Sequence, residues 1–195
     1  MNQTARFLYF VLITICLSYP AQNEAATPGI DINFENSSAT GQEKIHAKAE
    51  FYSYGPEIRT TLVAIAGYPE LHAWIRNTTL LRHVSEGKLE YLVEFDFPWP
   101  VGRRWSRAEV HQESPTKMFW HQLEGNLKIN QGEISIVTCG EQVNIEYRAI
   151  LDIGLSDAWT RRYKKKFVSE FLNAAYDQAE ASQPVTGMTL ATAGP

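Results

Sequence analysis

Two carboxylates, Glu94 and Asp96, sit two residues apart in a segment of alternating apolar side chains. On a strand this spacing puts both on one face, opposite Tyr91, Val93 and Phe95. A carboxylate pair can do acid–base work, but with the aromatic residues inward the pair reads as a solvated outer face. Arg107, Glu109 and His111 repeat the pattern on the next segment. They would form either a polar relay or an exposed cross-strand charge ladder, and the ladder is expected. The five histidines, His46, His72, His83, His111 and His121, show no metal-helix or metal-loop spacing, so no metal is expected. No serine lies in a Gly-x-Ser-x-Gly elbow, and no glycine-rich phosphate loop is present, so neither a catalytic residue nor a cofactor is expected.

The remaining charged feature is a basic run, Arg161, Arg162, Lys164, Lys165 and Lys166, interrupted by Tyr163. On a helix these cations fall roughly opposite a stripe of Trp159, Tyr163 and Phe167. They would make a solvated face or a contact with anionic lipid headgroups, the latter at about 1 kcal/mol per cation. Cations near a helix N-terminus oppose its dipole, which favours a purpose for them.

The elements that must position these residues can be read from periodicity. Lys44 to Phe51 alternates as a half-buried strand, and Pro56 to Ala66 and Glu70 to Ile75 fit two short helices. Strands follow at Leu80–Ser85, Leu89–Phe97, Arg104–Gln112, Lys117–Leu123, Glu133–Cys139 and Asn144–Ile153, joined by hairpin-length turns that imply an antiparallel sheet. Ser156 is a plausible N-cap for a helix running to Ala181, with Trp159, Tyr163, Phe167 and Phe171 four apart. Such a helix must bury its stripe on the sheet. The expected fold is α+β: a curved antiparallel sheet wrapped around a long C-terminal helix, with two short helices after the first strand. The space enclosed between sheet and helix can hold a ligand.

The chain has 195 residues, a formal charge of −4 and 44% hydrophobic residues, which suits one globular domain and argues against nucleic acid as a partner. Residues 1–21 read as a signal peptide, with Arg6 ahead of an apolar run from Phe7 to Leu17, so the protein is expected to be secreted or periplasmic. Residues 22–42 read as a linker, 43–181 as the folded domain and 182–195 as a disordered tail. The two cysteines, Cys16 and Cys139, are too few for a disulfide framework. With the leader removed, Cys139 would be the sole cysteine and is read as a small apolar strand residue.

This element order, and the segment Asp96-Phe97-Pro98-Trp99-Pro100-Val101-Gly102-Arg103-Arg104, resemble the START-like superfamily, also called SRPBCC or polyketide cyclase and lipid transport, and START lipid-binding domains most of all. Those domains often carry Trp-Pro-x-Ser-x-Arg-Asp between two strands. Trp99, Pro100 and Arg104 occupy the matching places, while Gly102 replaces the Ser and Trp105 the Asp, so the Arg-Asp pair is incomplete. The resemblance covers about residues 43–181 and implies a helix-grip fold that binds a hydrophobic molecule.

Aromatic residues exceed what a core of this size needs. The expected chamber is lined by Tyr91, Phe95, Trp99, Trp120, Tyr147, Tyr163, Phe167 and Phe171, with Arg104 or Arg148 meeting a polar head. A lipid, sterol or quinone is the expected ligand, carried by a monomer that touches an anionic membrane transiently. The alternative is a cyclase or dehydratase in which Arg104, Glu94 or Tyr147 polarises a bound polyketide. A third reading is a ligand-responsive interaction module.

Overall fold

The computed structural model describes residues 29–36, 42–52 and 55–182. Eight strands form one antiparallel sheet in the order β1-β2-β8-β7-β6-β5-β4-β3. They are β1 (Gly29–Asn36), β2 (Glu43–Tyr52), β3 (Ile75–Ser85), β4 (Lys88–Phe97), β5 (Gly102–Ser114), β6 (Lys117–Gly125), β7 (Ile129–Cys139) and β8 (Gln142–Asp152). Between β2 and β3 lie helix α1 (Gly55–Val63), a 3-10 turn at Ile65–Gly67 and helix α2 (Tyr68–Leu71); helix α3 (Asp157–Ala181) closes the described chain.

The inward face is set by strict alternation. On β2, Ile45, Ala47, Ala49 and Phe51 are buried, and on β8 the same holds for Val143, Ile145, Tyr147, Ala149 and Leu151. On β4, Tyr91, Phe95 and Phe97 are buried. The last hairpin strands therefore follow the expected spans closely. Helix α1 begins with Pro56 in its first turn, where a missing N–H costs nothing, and buries Ile58 and Leu62, one turn apart, toward α3. Helix α3 carries the expected long C-terminal element.

Four sequence readings are corrected. The stretch read as a linker contains β1, in which Ile30, Ile32 and Phe34 alternate with polar residues and Ile32 pairs with Ala47 of β2. The second short helix, expected over Glu70–Ile75, spans Tyr68–Leu71 instead, because His72 is extended and Ile75 already starts β3. Ser156 has the extended backbone of an N-cap, but its side chain makes no capping bond. Cys139, read as a small apolar strand residue, ends β7 only half-buried. The expected leader (1–21) and the expected tail beyond Ser182 lie outside the described residues, as does the side chain of Trp159.

The phase of α3 also differs from the expected stripe. Its buried face runs through Thr160, Lys164, Val168, Leu172, Ala175 and Ala179, with Phe171 beside it. This face lies one residue round from Tyr163 and Phe167, which sit half-buried at its margin. Lys164 is buried in consequence, and its ammonium lies 3.2 Å from Glu43. Arg161 also binds the Glu43 carboxylate, so two α3 cations grip one buried acid on β2.

Candidate functional site

Between the sheet and α3 lies a cavity of about 90 Å³. Its floor is the inward face of β4 to β8: Val93 and Phe95, Ala108 and Val110, Met118 and Trp120, Asn130 and Ile134, Tyr147 and Leu151. Ile75 of β3 and two residues of the helical segment, Ile65 and Tyr68, close one side, and Phe167 and Phe171 of α3 form the roof. At about 10–15 Å³ per water-sized group, the space holds about six to nine such groups. That suits one ring system or a short length of chain, and a larger ligand would have to displace part of the wall.

Local packing fixes the aromatic lining. Trp120 donates its indole N–H to the Asn130 side-chain oxygen at 3.0 Å. Its ring lies over Gly132, where a Cβ would come within 2.5 Å of the indole. Gly132 is the register partner of Trp120, so only the missing side chain lets the ring lie down there. The Trp120 ring also meets Tyr147 at 5.7 Å between centroids. Tyr68 packs edge-on against Phe171 at 4.9 Å and donates its hydroxyl to the Leu62 carbonyl at 2.6 Å. Phe167 and Phe171 stack 6.2 Å apart along the helix.

The site carries no formal charge: no Lys, Arg, His, Asp or Glu borders it among the described residues. Its polar groups are the phenols of Tyr68 and Tyr147, the amide of Asn130 and the Trp120 indole N–H that Asn130 accepts. Burial pushes both phenols far above the usual tyrosine range, and for Tyr68 the nearby Tyr147 and Tyr91 add to the shift. Both stay protonated and neutral under ordinary conditions. Tyr91, buried on the same face of β4, is raised by burial as well.

Of the residues expected to bind ligand, the structure brings Phe95, Trp120, Tyr147, Phe167 and Phe171 to the cavity. The other four lie elsewhere. Trp99 projects into solvent, 87% exposed, from the turn between β4 and β5. Arg104 is the register partner of Phe95, but its guanidinium turns back onto the Arg103 carbonyl at 2.9 Å. Tyr91 is buried beside the cavity without bordering it, and Tyr163 rests against Trp74. Sequence reasoning missed Ala108, Asn130, Tyr68 and Ile65. The period-two pattern already aligned Ala108 with Val110, but a small side chain suggests no lining role. Tyr68 sits in a chain break and carries no periodic signal, and Ile65, at helical spacing from Ile58 and Leu62, reads as the core face of the first short helix.

The outer face resolves the other candidates. Glu90 is buried between Arg82 at 2.8 Å and Arg107 at 3.1 Å, and Arg107 reaches Glu124 at 3.1 Å. Glu109 pairs with Lys88, and His111 lies against the Phe119 ring. This is the cross-strand ladder, and it does not form a relay. Glu94 accepts a hydrogen bond from Asn77 at 3.1 Å, while Asp96 is exposed. No cluster of His, Cys, Asp and Glu able to hold a metal is found among the described residues. In the basic run, Lys164 cannot contact a membrane because it is buried on Glu43, and Arg161 shares that carboxylate; Arg162, Lys165 and Lys166 are exposed.

His72 is the one buried imidazole among the described residues. Its Nδ1 accepts the Trp74 backbone N–H at 3.0 Å, so Nε2 carries the proton. That nitrogen lies 3.3 Å from the Glu170 carboxylate in a contact too poorly aligned for a hydrogen bond. Burial holds the imidazole below its ordinary value, against the opposing pull of Glu170.

No protein-family model and no curated protein matches the chain. Solved structures do match it. A STAR-related lipid transfer protein from Xanthomonas axonopodis superposes with a TM-score of 0.65 at 11% identity, over 82% of this chain and 97% of that one. This chain has a START-like fold. Other START-like structures agree: human StAR-related lipid transfer protein 5 gives a TM-score of 0.62 at 10% identity, covering 93% of this chain and 99% of that one. The Zhui aromatase/cyclase from Streptomyces sp. R1128 gives 0.60 at 15% identity, over 74% and 97%. The START-like helix grip is thus the expected α+β architecture, a curved sheet around a C-terminal helix.

Proposed function

We propose that this chain binds a hydrophobic small molecule of the lipid, sterol or quinone class in the cavity beneath α3, and that it carries this molecule as a secreted or periplasmic protein. The observation that supports this reading is an uncharged, aromatic-lined space between the sheet and α3. A core with no ligand to hold is packed to crystal density. Two of the similar structures are named as lipid transfer proteins. Delivery would bring the exposed Arg162, Lys165 and Lys166 to an anionic membrane surface.

The similarity to an aromatase/cyclase favours an enzyme using the same cavity. Of the three residues expected to polarise a polyketide, Tyr147 alone borders the space; Arg104 and Glu94 do not. The carrier reading therefore has the stronger support. Native mass spectrometry of protein purified from its own host, followed by organic extraction, tests it. A stoichiometric apolar ligand recovered unchanged is expected. Reproducibly empty protein that also takes up no fluorescent lipid analogue would overturn the reading.

A further inference from the structure

The Tyr147 ring is more than nine-tenths buried, with 7% exposed, and it borders the cavity. Its hydroxyl makes no hydrogen bond to any described residue. A buried phenol left unsatisfied costs free energy that a ligand oxygen would recover. Tyr68, the other phenol, already donates to the Leu62 carbonyl and can only accept a further bond. The Asn130 oxygen is engaged by Trp120, which leaves its amide N–H groups as donors. The open polar positions are therefore neutral, and no cation stands by to meet an anion.

We infer that the ligand, or the part of it held in the cavity, is electrically neutral and carries one hydroxyl or carbonyl oxygen that hydrogen-bonds to the Tyr147 hydroxyl. This rests on the reading of the cavity as a ligand site and narrows it. A carboxylate or phosphate placed there would be a buried, unpaired charge, which costs several kcal/mol. Free fatty acids and phospholipid headgroups are accordingly excluded from the interior. A ring alcohol, a ketone or a quinone of the available size is admitted. The expected size is one or two fused rings, in keeping with room for about six to nine water-sized groups.

Equilibrium dialysis of the full chain with naphthalene, naphthol and naphthoate at neutral pH tests this. These three probes share a ring system and differ only in the polar group. Naphthol should bind about 2- to 12-fold more tightly than naphthalene, the worth of one hydrogen bond. Naphthoate should bind at least about 100-fold more weakly than naphthol, the cost of an unpaired charge. Tyr147→Phe keeps the ring against Trp120 and should erase the preference for naphthol, so that naphthol and naphthalene bind the variant about equally. Equal binding of all three probes, or a naphthol preference that survives in Tyr147→Phe, would overturn the inference and leave the cavity reading intact. Failure of all three to bind the wild type would instead overturn the cavity reading, and the inference with it.

Discussion

Gly132→Ala should damage both the fold and the cavity. A Cβ at this position would come within 2.5 Å and 2.7 Å of the Trp120 ring carbons, and against the Arg148 backbone carbonyl as well. The indole could swing aside, but the carbonyl belongs to the paired strand β8 and cannot retreat. Overpacking of this kind costs about 1–3 kcal/mol. A displaced indole also loses its bond to Asn130, about 0.5–1.5 kcal/mol more. The sum, about 1.5–4.5 kcal/mol, corresponds to a fall in Tm of about 3–18 °C for a domain of this size. Thermal denaturation followed by tryptophan fluorescence measures it. Gly67→Ala is the control, since a Cβ there meets nothing within 4 Å and the backbone φ of −84° suits any residue. If Gly132→Ala melts with the wild type while binding naphthol equally well, the account of how Trp120 is seated is wrong.

Three further outcomes follow from other residues. Glu43→Ala removes the buried carboxylate that Lys164 and Arg161 both bind and should cost about 3–5 kcal/mol in urea denaturation, the usual loss on breaking a buried ion pair, most of it recovered in Glu43→Leu/Lys164→Met. Burial depresses the His72 pKa, so below about 6.5 the unfolded chain binds a proton that the folded chain refuses. Stability should therefore fall as pH drops from that value toward the lower folded one; Glu170 and Lys166, which face the ring, pull in opposite directions. His72→Gln should show a flatter dependence of ΔG on pH over that window, and an unchanged slope would refute the assignment. Ala108→Leu should fill the space under α3, so that naphthol no longer raises Tm while the empty protein melts no lower than wild type; a persisting ligand shift would place the site elsewhere.

The sheet was legible because a half-buried strand writes its inward face into alternate residues. Tyr91, Val93, Phe95 and Phe97 on β4, and Ile145 through Leu151 on β8, could be assigned a face without coordinates. β1 was obscured because its three apolar positions sit in a stretch rich in Asn, Ser and Gly. The phase of α3 was misjudged because aromatic residues drew the stripe through Tyr163, whereas the buried face includes Lys164. Its partner Glu43 lies 121 positions away, and no local pattern announces that pairing. The cavity was half legible for a related reason. Large rings such as Phe95, Trp120 and Phe171 signal burial, but the residues that leave the space open are small or are contributed by a short irregular segment. Trp99 shows the converse: an aromatic side chain in a turn reads like core until its surroundings are known.

The cavity itself carries a cost. At about 24 cal/mol per Å³, a void of 90 Å³ destabilises the empty protein by about 2 kcal/mol. That is a sizeable fraction of the total stability of about 5–15 kcal/mol usual for a domain. A Cβ on Gly55 would already press on Thr138 and Val143 at 3.2 Å, so the strands near β2 and α1 leave no slack. Ala108 stands on the wall of the space between Tyr147 and the roof of Phe167 and Phe171. Replacing Ala108 with a larger apolar residue would be the simple way to recover the lost energy, and this chain does not do so. An occupant recovers it instead: a ligand at a hundred times its Kd stabilises the folded state by about 2.7 kcal/mol. The empty and loaded proteins should thus differ in stability by an amount set by the ligand concentration relative to its Kd, and the oxygen that satisfies Tyr147 acts by lowering that Kd.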